Sequence, residues 1–195
     1  MFYPFSMNAE IDVTNIQIET SRLILRPFKE SDIDDFYRYA KVPGVGECAG
    51  WPHHESVDTS KMILDKFINE KKTFAIVEKE SSRVVGSIGL EPERCDLPEV
   101  FSSIKGREIG YVLAKDKWGN GYMSEAVKAL ISYCFSTLGY DFLLCGHFYD
   151  NYRSERVIVK NGFVFLKDIM YETVMGEVKP TRLYYLANPL KKINL

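Results

Sequence analysis

Gly119 and Gly121 stand two residues apart, between an apolar run from Glu108 to Leu113 and the most regular helical pattern in the chain. In that pattern Met123, Ala126, Val127, Leu130, Ile131, Cys134 and Leu138 recur at the i, i+3, i+4, i+7 spacing of a one-sided helix, with Gly139 placed to cap it. A strand that turns into a helix through two such glycines leaves few folds open. The glycines free the backbone to turn tightly and gather N–H groups at one point, and the helix N-terminus adds roughly half a positive charge. That is a cradle for a pyrophosphate. The plain alternative is a tight turn with no ligand. Two other phosphate loops are excluded. The dinucleotide pattern G-x-G-x-x-G needs a third glycine where this chain has Ser124, and Asp141 precedes its strand instead of ending it. The pattern G-x-x-x-x-G-K-[ST] does not occur.

Around this unit the chain alternates strand and helix signals. Residues 1–18 carry little periodicity and read as an N-terminal arm; residues 19–195 read as one domain. Arg22 to Phe28 alternates as a strand, with Leu23 and Leu25 on one face. Ser31 to Asp34 resembles a capping box before a helix carrying Ile33, Phe36, Tyr37 and Ala40. A Gly/Pro-rich connector, residues 41–55, leads to a second helix with Met62, Ile63 and Phe67 on its apolar side. Thr73 to Val77 and Val84 to Leu90 form a hairpin, and Glu91 to Gly106 a polar loop. Phe142 to Phe148, Phe163 to Leu166 and Leu183 to Leu186 are further strands, with a short helix from Ser154 to Lys160. The fold class is therefore α/β (α+β): a mixed, mostly antiparallel sheet of six to seven strands flanked by about four helices.

The charge balance, 25 basic against 27 acidic side chains, gives −2 and argues against nucleic acid as a partner. No run approaches the roughly 20 apolar residues of a membrane helix, and no signal peptide is apparent. Cys48, Cys95, Cys134 and Cys145 are scattered, which suits reduced thiols in a cytoplasmic protein and no metal. Adjacent His53 and His54 point apart in an extended loop, so a metal is not expected there either.

The segment Asn151 to Phe163 has the form N-x-x-S-x-R-x-x-x-K-x-G-F. Together with the Trp118-Gly119-Asn120-Gly121-Tyr122 loop, the preceding E-I-G-Y-V-L and the opening T-S-R-L-I-L-R-P, it resembles the GNAT superfamily of acetyl-CoA-dependent N-acetyltransferases. Within it the chain looks like the RimJ/RimL branch, which includes acetyltransferases of ribosomal-protein N-termini. The resemblance implies acetyl-CoA as cosubstrate and central strands that splay apart. The pantetheine arm would add along Tyr111, Val112 and Leu113, and the pyrophosphate would sit on the N–H groups of Trp118 to Met123. The implied cofactor-binding set is then Tyr111, Val112, Leu113, Lys117, Trp118, Gly119, Asn120, Gly121, Tyr122, Met123, Ser124, Asn151, Ser154 and Arg156. Arg153 and Lys160 are weaker candidates for the coenzyme's phosphates or adenine. Two positions depart from the family pattern: Asp116 stands where Arg or Gln is common, and Ile158 replaces a Tyr that protonates the leaving thiolate. The branch offers Ser154 for that role; a helix-capping serine is the alternative.

Only a neutral amine attacks a thioester. At pH 7 neutralising a lysine-type amine, pKa about 10.4, costs roughly 4.6 kcal/mol, against about 1.4 for an α-amine near 8. A protein N-terminus is thus an easier acceptor than a polyamine, although both, and other small amines, stay open. Glu108 is the candidate base, with a surface pair to Arg107 as the alternative. His147 is expected to be packed or hydrogen-bonded; Tyr149 and Tyr152 are candidates for the cleft wall, with core packing as the default for a chain that is 13% aromatic. A CoA-binding sensor of the same fold, without catalysis, is the second reading. Acceptor choice is expected from loops 41–56, 91–106 and 171–181. A monomer and a homodimer are both compatible.

Overall fold

A computed structural model describes residues 9–92 and 97–191. In chain order the elements are β1 (Ile18–Glu19), β2 (Leu23–Pro27), α1 (Ile33–Ala40), α2 (Val57–Glu70), β3 (Thr73–Glu78), β4 (Arg83–Glu91), β5 (Gly106–Leu113), α3 (Tyr122–Ser136), β6 (Phe142–Phe148), α4 (Tyr152–Lys160), β7 (Val164–Glu172) and β8 (Val178–Ala187). One eight-stranded sheet runs β1-β2-β3-β4-β5-β6-β8-β7. Every neighbouring pair is antiparallel except β5 with β6.

Both faces are covered, which explains why β3 is buried at every residue. On one face Ala75, Val77 and Val84 pack with Phe36 and Tyr39 of α1 and Leu64 of α2. On the other, Leu23, Leu25, Phe74 and Ile76 pack with Ala126, Val127 and Leu130 of α3 and Ile158 of α4. Each fully buried Val, Leu, Ile or Phe among them contributes about 1.5–3 kcal/mol. A third cluster, Phe101, Phe142, Leu144 and Leu183, lies under the turn at Glu99–Ser103.

The sheet has eight strands where six to seven were expected. The extra pairing is β1, two residues long, and the hairpin of β7 and β8 absorbs most of the stretch 171–181 that read as a loop. Alternation there is masked because β7 is the edge strand and buries no residue fully: Val164, Phe165 and Met170 are exposed, as is Val178 at the start of β8. Ahead of β1, Ala9 and Val13 are buried in the core, and Val13 N–H donates to Lys71 O. In α2 the buried residues are Ser60 and Leu64; Met62 faces outward at 63 % exposure, because a fourteen-residue helix with a shallow contact buries a narrow stripe. Asp32 does not cap α1 with its side chain. Its carboxylate accepts instead from Lys29 N–H and from both ends of the Arg26 guanidinium at 2.7 and 2.8 Å.

Candidate active site

β5 and β6 share a register only from Gly106↔Phe142 to Ile109↔Cys145. Each then follows its outer neighbour: β5 stays on β4 to Leu113↔Gly86, and β6 stays on β8 to Phe148↔Thr181. The inner edge of Gly110 to Leu113 is left without a ladder partner, and the strands part around a cleft of about 590 Å³. Gly86 permits this placing of β5: a Cβ there would stand 2.4 Å from Val112 O.

At the wide end of the cleft the chain makes a single 3₁₀ turn, Lys115–Lys117, and enters α3. Gly119 (φ +79°) and Gly121 (φ +77°) both occupy the left-handed region that favours glycine. Among the described residues, the N–H groups of residues 119–124 have no intramolecular acceptor; the first helical bond is Glu125 N–H to Gly121 O. They form a cradle of backbone donors on the positive end of a fifteen-residue helix. Trp118 N–H, expected in that set, is instead taken by Lys115 O, and the indole Nε1 donates to Leu113 O at 2.8 Å.

Two carboxylates brace the cradle. Glu78, at the end of β3 and 3 % exposed, accepts from Lys117 Nζ at 2.7 and 2.9 Å, Tyr122 Oη at 2.8 Å and Ser81 Oγ at 2.6 Å. The Lys117 contact foremost holds its carboxyl down at about 2. Glu125, in the first turns of α3, accepts from Thr20 Oγ1, Ser21 Oγ and the Arg22 N–H and Nε. Burial pushes its carboxyl up, but these bonds outweigh burial and hold it at about 2. Arg22 also donates to Asn120 O and stacks 4.3 Å over Tyr122. The T-S-R-L motif thus fastens the glycine loop and the start of α3 to the strand β2. Lys117, expected on a phosphate, spends its charge on Glu78; Asp116 is exposed. Asn120 does not wall the cleft, since its side chain folds back onto Lys117 O and Trp118 O.

The opposite wall is α4. Asn151, expected on pantetheine, is the N-cap: its Oδ1 accepts from Ser154 N–H, and its Nδ2 donates to Cys48 O. Ser154 is therefore not the capping serine. It is buried, and its Oγ lies 2.8 Å from Tyr111 Oη. Burial foremost drives the Tyr111 phenol well above its ordinary range, so it stays protonated. Ile158 is fully buried in the core. Arg153 lies 4.2 Å over the Trp118 ring, and Arg156 and Lys160 line the same side.

Side chains alternate across β5, so Ile109 and Tyr111 face α3 and α4 while Glu108 and Val112 face the α1 side. Glu108 is half-buried in the cleft wall. Arg107, its suggested ion-pair partner, points the other way and donates to Ala9 O and Leu90 O. His53 Nδ1 meets Glu47 Oε1 at 2.8 Å, and His54 packs against Phe36 and Trp51 with Nδ1 on Ser60 Oγ. His147 is buried between Phe148 O and Tyr184 Oη. Tyr149 and Tyr152 do not line the cleft; Phe148, Ile169 and Tyr171 do, together with Val45, Cys48 and Ala49 of the connector. No local pattern signals these residues, because a long hairpin and a loop 100 positions upstream meet only in the folded chain. Among the described residues no helix is long and apolar enough to cross a membrane, and no group of three potential metal ligands occurs.

Comparison with known proteins places this geometry. The acetyltransferase (GNAT) domain matches residues 22–164. The uncharacterized N-acetyltransferase YoaA of Bacillus subtilis (strain 168) is 27% identical over 180 residues, covering 88% of this chain and 97% of its own. A putative ribosomal-protein-serine acetyltransferase from Vibrio cholerae superposes with a TM-score of 0.74 at 18% identity, over 90% of this chain and 99% of that one. The microcin C7 self-immunity acetyltransferase MccE, solved with acetyl-CoA and AMP, superposes with a TM-score of 0.72 at 17% identity, over 86% and 93% of the two chains.

Proposed function

The chain belongs to the GNAT family of acetyltransferases and uses acetyl-CoA; from that premise we propose that it moves the acetyl group directly to a primary amine, with the roles below. The carrying observation is the parting of β5 from β6 after Ile109, which opens a strand edge leading to the amide cradle at residues 119–124. The residues fit the coenzyme. The cradle takes the pyrophosphate, the inner edge of Tyr111 to Leu113 takes the amide-bearing arm as an added strand, and Arg153, Arg156 and Lys160 supply positive charge beside it. Acetyl-CoA supplies an activated acyl group.

Glu108 receives the proton that the acceptor amine gives up, directly or through one water. A backbone N–H near Val112 meets the charge that develops on the acyl oxygen. Ser154 gives a proton to the departing sulfur. Tyr111, kept neutral by burial, shares a hydrogen bond with Ser154 Oγ at 2.8 Å; with the phenol as donor, the serine hydrogen is left for the cleft. The serine in place of the family tyrosine supports the RimJ/RimL branch, and with it an N-terminal α-amine in the cytoplasm as acceptor. The test is thiol release from acetyl-CoA with a panel of amines. Glu108→Gln lowers kcat by about 100-fold while the acetyl-CoA Kd stays within about twofold. Unchanged kcat across pH rejects Glu108 as base; acetyl-CoA binding without thiol release from any amine favours a sensor.

A further inference from the structure

The half of the cleft on the α1 side differs in chemistry from the coenzyme half. Its walls are Val45 and Ala49 of the connector, Phe148 of β6, and Ile169 and Tyr171 of β7. The Phe148 and Tyr171 rings lie 5.8 Å apart. The connector is braced onto the hairpin: Val174 N–H donates to Gly50 O at 3.1 Å, and Phe148, Tyr171 and Thr173 all crowd the Gly50 α-carbon. Among the described residues that wall the whole cleft, Glu108 is the one carboxylate. Lys179, which sits 5.2 Å over Phe148, is already paired with Glu177 at 3.4 Å, and Arg153 reaches toward Cys48.

From this we infer that the acceptor is a primary amine on an apolar carbon frame with no second positive charge. The inference rests on acetyl transfer taking place in this cleft. Its amine sits at Glu108 and its frame lies between Phe148, Ile169 and Tyr171. An apolar frame gains by leaving water there. A second ammonium, as in a diamine, a polyamine or an aminosugar, loses its hydration against apolar walls that offer it no second carboxylate.

The test compares kcat/KM for 2-phenylethylamine, leucine amide, putrescine and spermidine by thiol release at saturating acetyl-CoA. Leucine amide stands for an N-terminal residue and 2-phenylethylamine for a free amine, so their ranking reads which source is used. At least one of the two exceeds putrescine and spermidine by tenfold or more. Ile169→Glu places a second carboxylate in the apolar wall and raises kcat/KM for putrescine at least fivefold, relative to the apolar amine; a folding defect cannot produce such a gain. Putrescine or spermidine equal to or better than both apolar amines overturns the inference, as does an equal effect of Ile169→Glu on both classes. Thiol release then still proves acetyl transfer, whereas binding of acetyl-CoA with no release from any amine removes the transfer reading itself.

Discussion

Glu78→Gln is the sharpest probe of how the phosphate cradle is held. The carboxylate is buried at the end of β3 and takes four hydrogen bonds, two of them from Lys117 just before the glycines and one from Tyr122 just after. Its carboxyl is held at about 2 against an ordinary 4.5, a difference of about 2.5 units. At about 1.36 kcal/mol per unit this is roughly 3 kcal/mol of native-state stabilisation. The raised Lys117 ammonium is the same interaction seen from its partner and adds nothing to that sum. Glutamine keeps the shape, but its amide turns a donor toward Lys117. We expect a loss of about 2–3 kcal/mol at pH 7, or roughly 5–10 °C in Tm for a chain of this length. The sign with pH is fixed. A depressed carboxyl stabilises above its unfolded value and loses that contribution as pH falls from about 4.5 toward 2, so at pH 3 the gap between wild type and variant narrows to under about half. Thermal melts at pH 7 and 3 measure both numbers, and calorimetry with acetyl-CoA reads the loop, with a Kd raised at least about tenfold if bracing positions the amides. A Tm drop under 2 °C at pH 7, or the same drop at pH 3, refutes the reasoning.

Other perturbations address the chemistry and the wedge. Ser154→Ala lowers kcat by about 10- to 100-fold at unchanged KM for acetyl-CoA, and Tyr111→Phe lowers it by less. The double variant is no worse than Ser154→Ala, because Tyr111 acts through the serine; additive losses in steady-state kinetics contradict that order. Gly86→Ala forces β5 away from a Cβ that would stand 2.4 Å from Val112 O. It costs about 1–3 kcal/mol in melts and weakens acetyl-CoA binding, and a wild-type melt contradicts the proposed packing.

The parts of the site legible in the sequence are those encoded locally. The Gly119–Gly121 turn and the apolar stripe of α3 carry their own geometry, and so does the strand carrying Glu108. What escaped is chosen by partners far away in the chain. Asn151 reads as a free polar group, but the start of α4 needs a cap and Cys48 O needs a donor. Lys117 looks like a phosphate ligand until β3 delivers Glu78 to it. Tyr111 reads only as backbone for the pantetheine arm, and the hydrogen bond of its side chain appears only when α4 sets Ser154 against β5. The start of β7 is legible as the strand Phe163 to Leu166, but its continuation to Glu172 escapes for a different reason: with polar and apolar residues exposed on an edge strand, the period-2 signal fails.

Strands β5 and β6 are joined by a seam of four residue pairs, Gly106–Ile109 against Phe142–Cys145. The notch beyond that seam is therefore written into the order in which the chain crosses the sheet, through α3, and not into the side chains lining it. Replacing wall residues redecorates the notch without closing it. On the proposed reading, such a scaffold lets acceptor preference drift by single substitutions on the β7–β8 hairpin while the grip on the donor stays put. On that same reading the two halves of the sheet divide the labour, and the four-pair seam is the border between them.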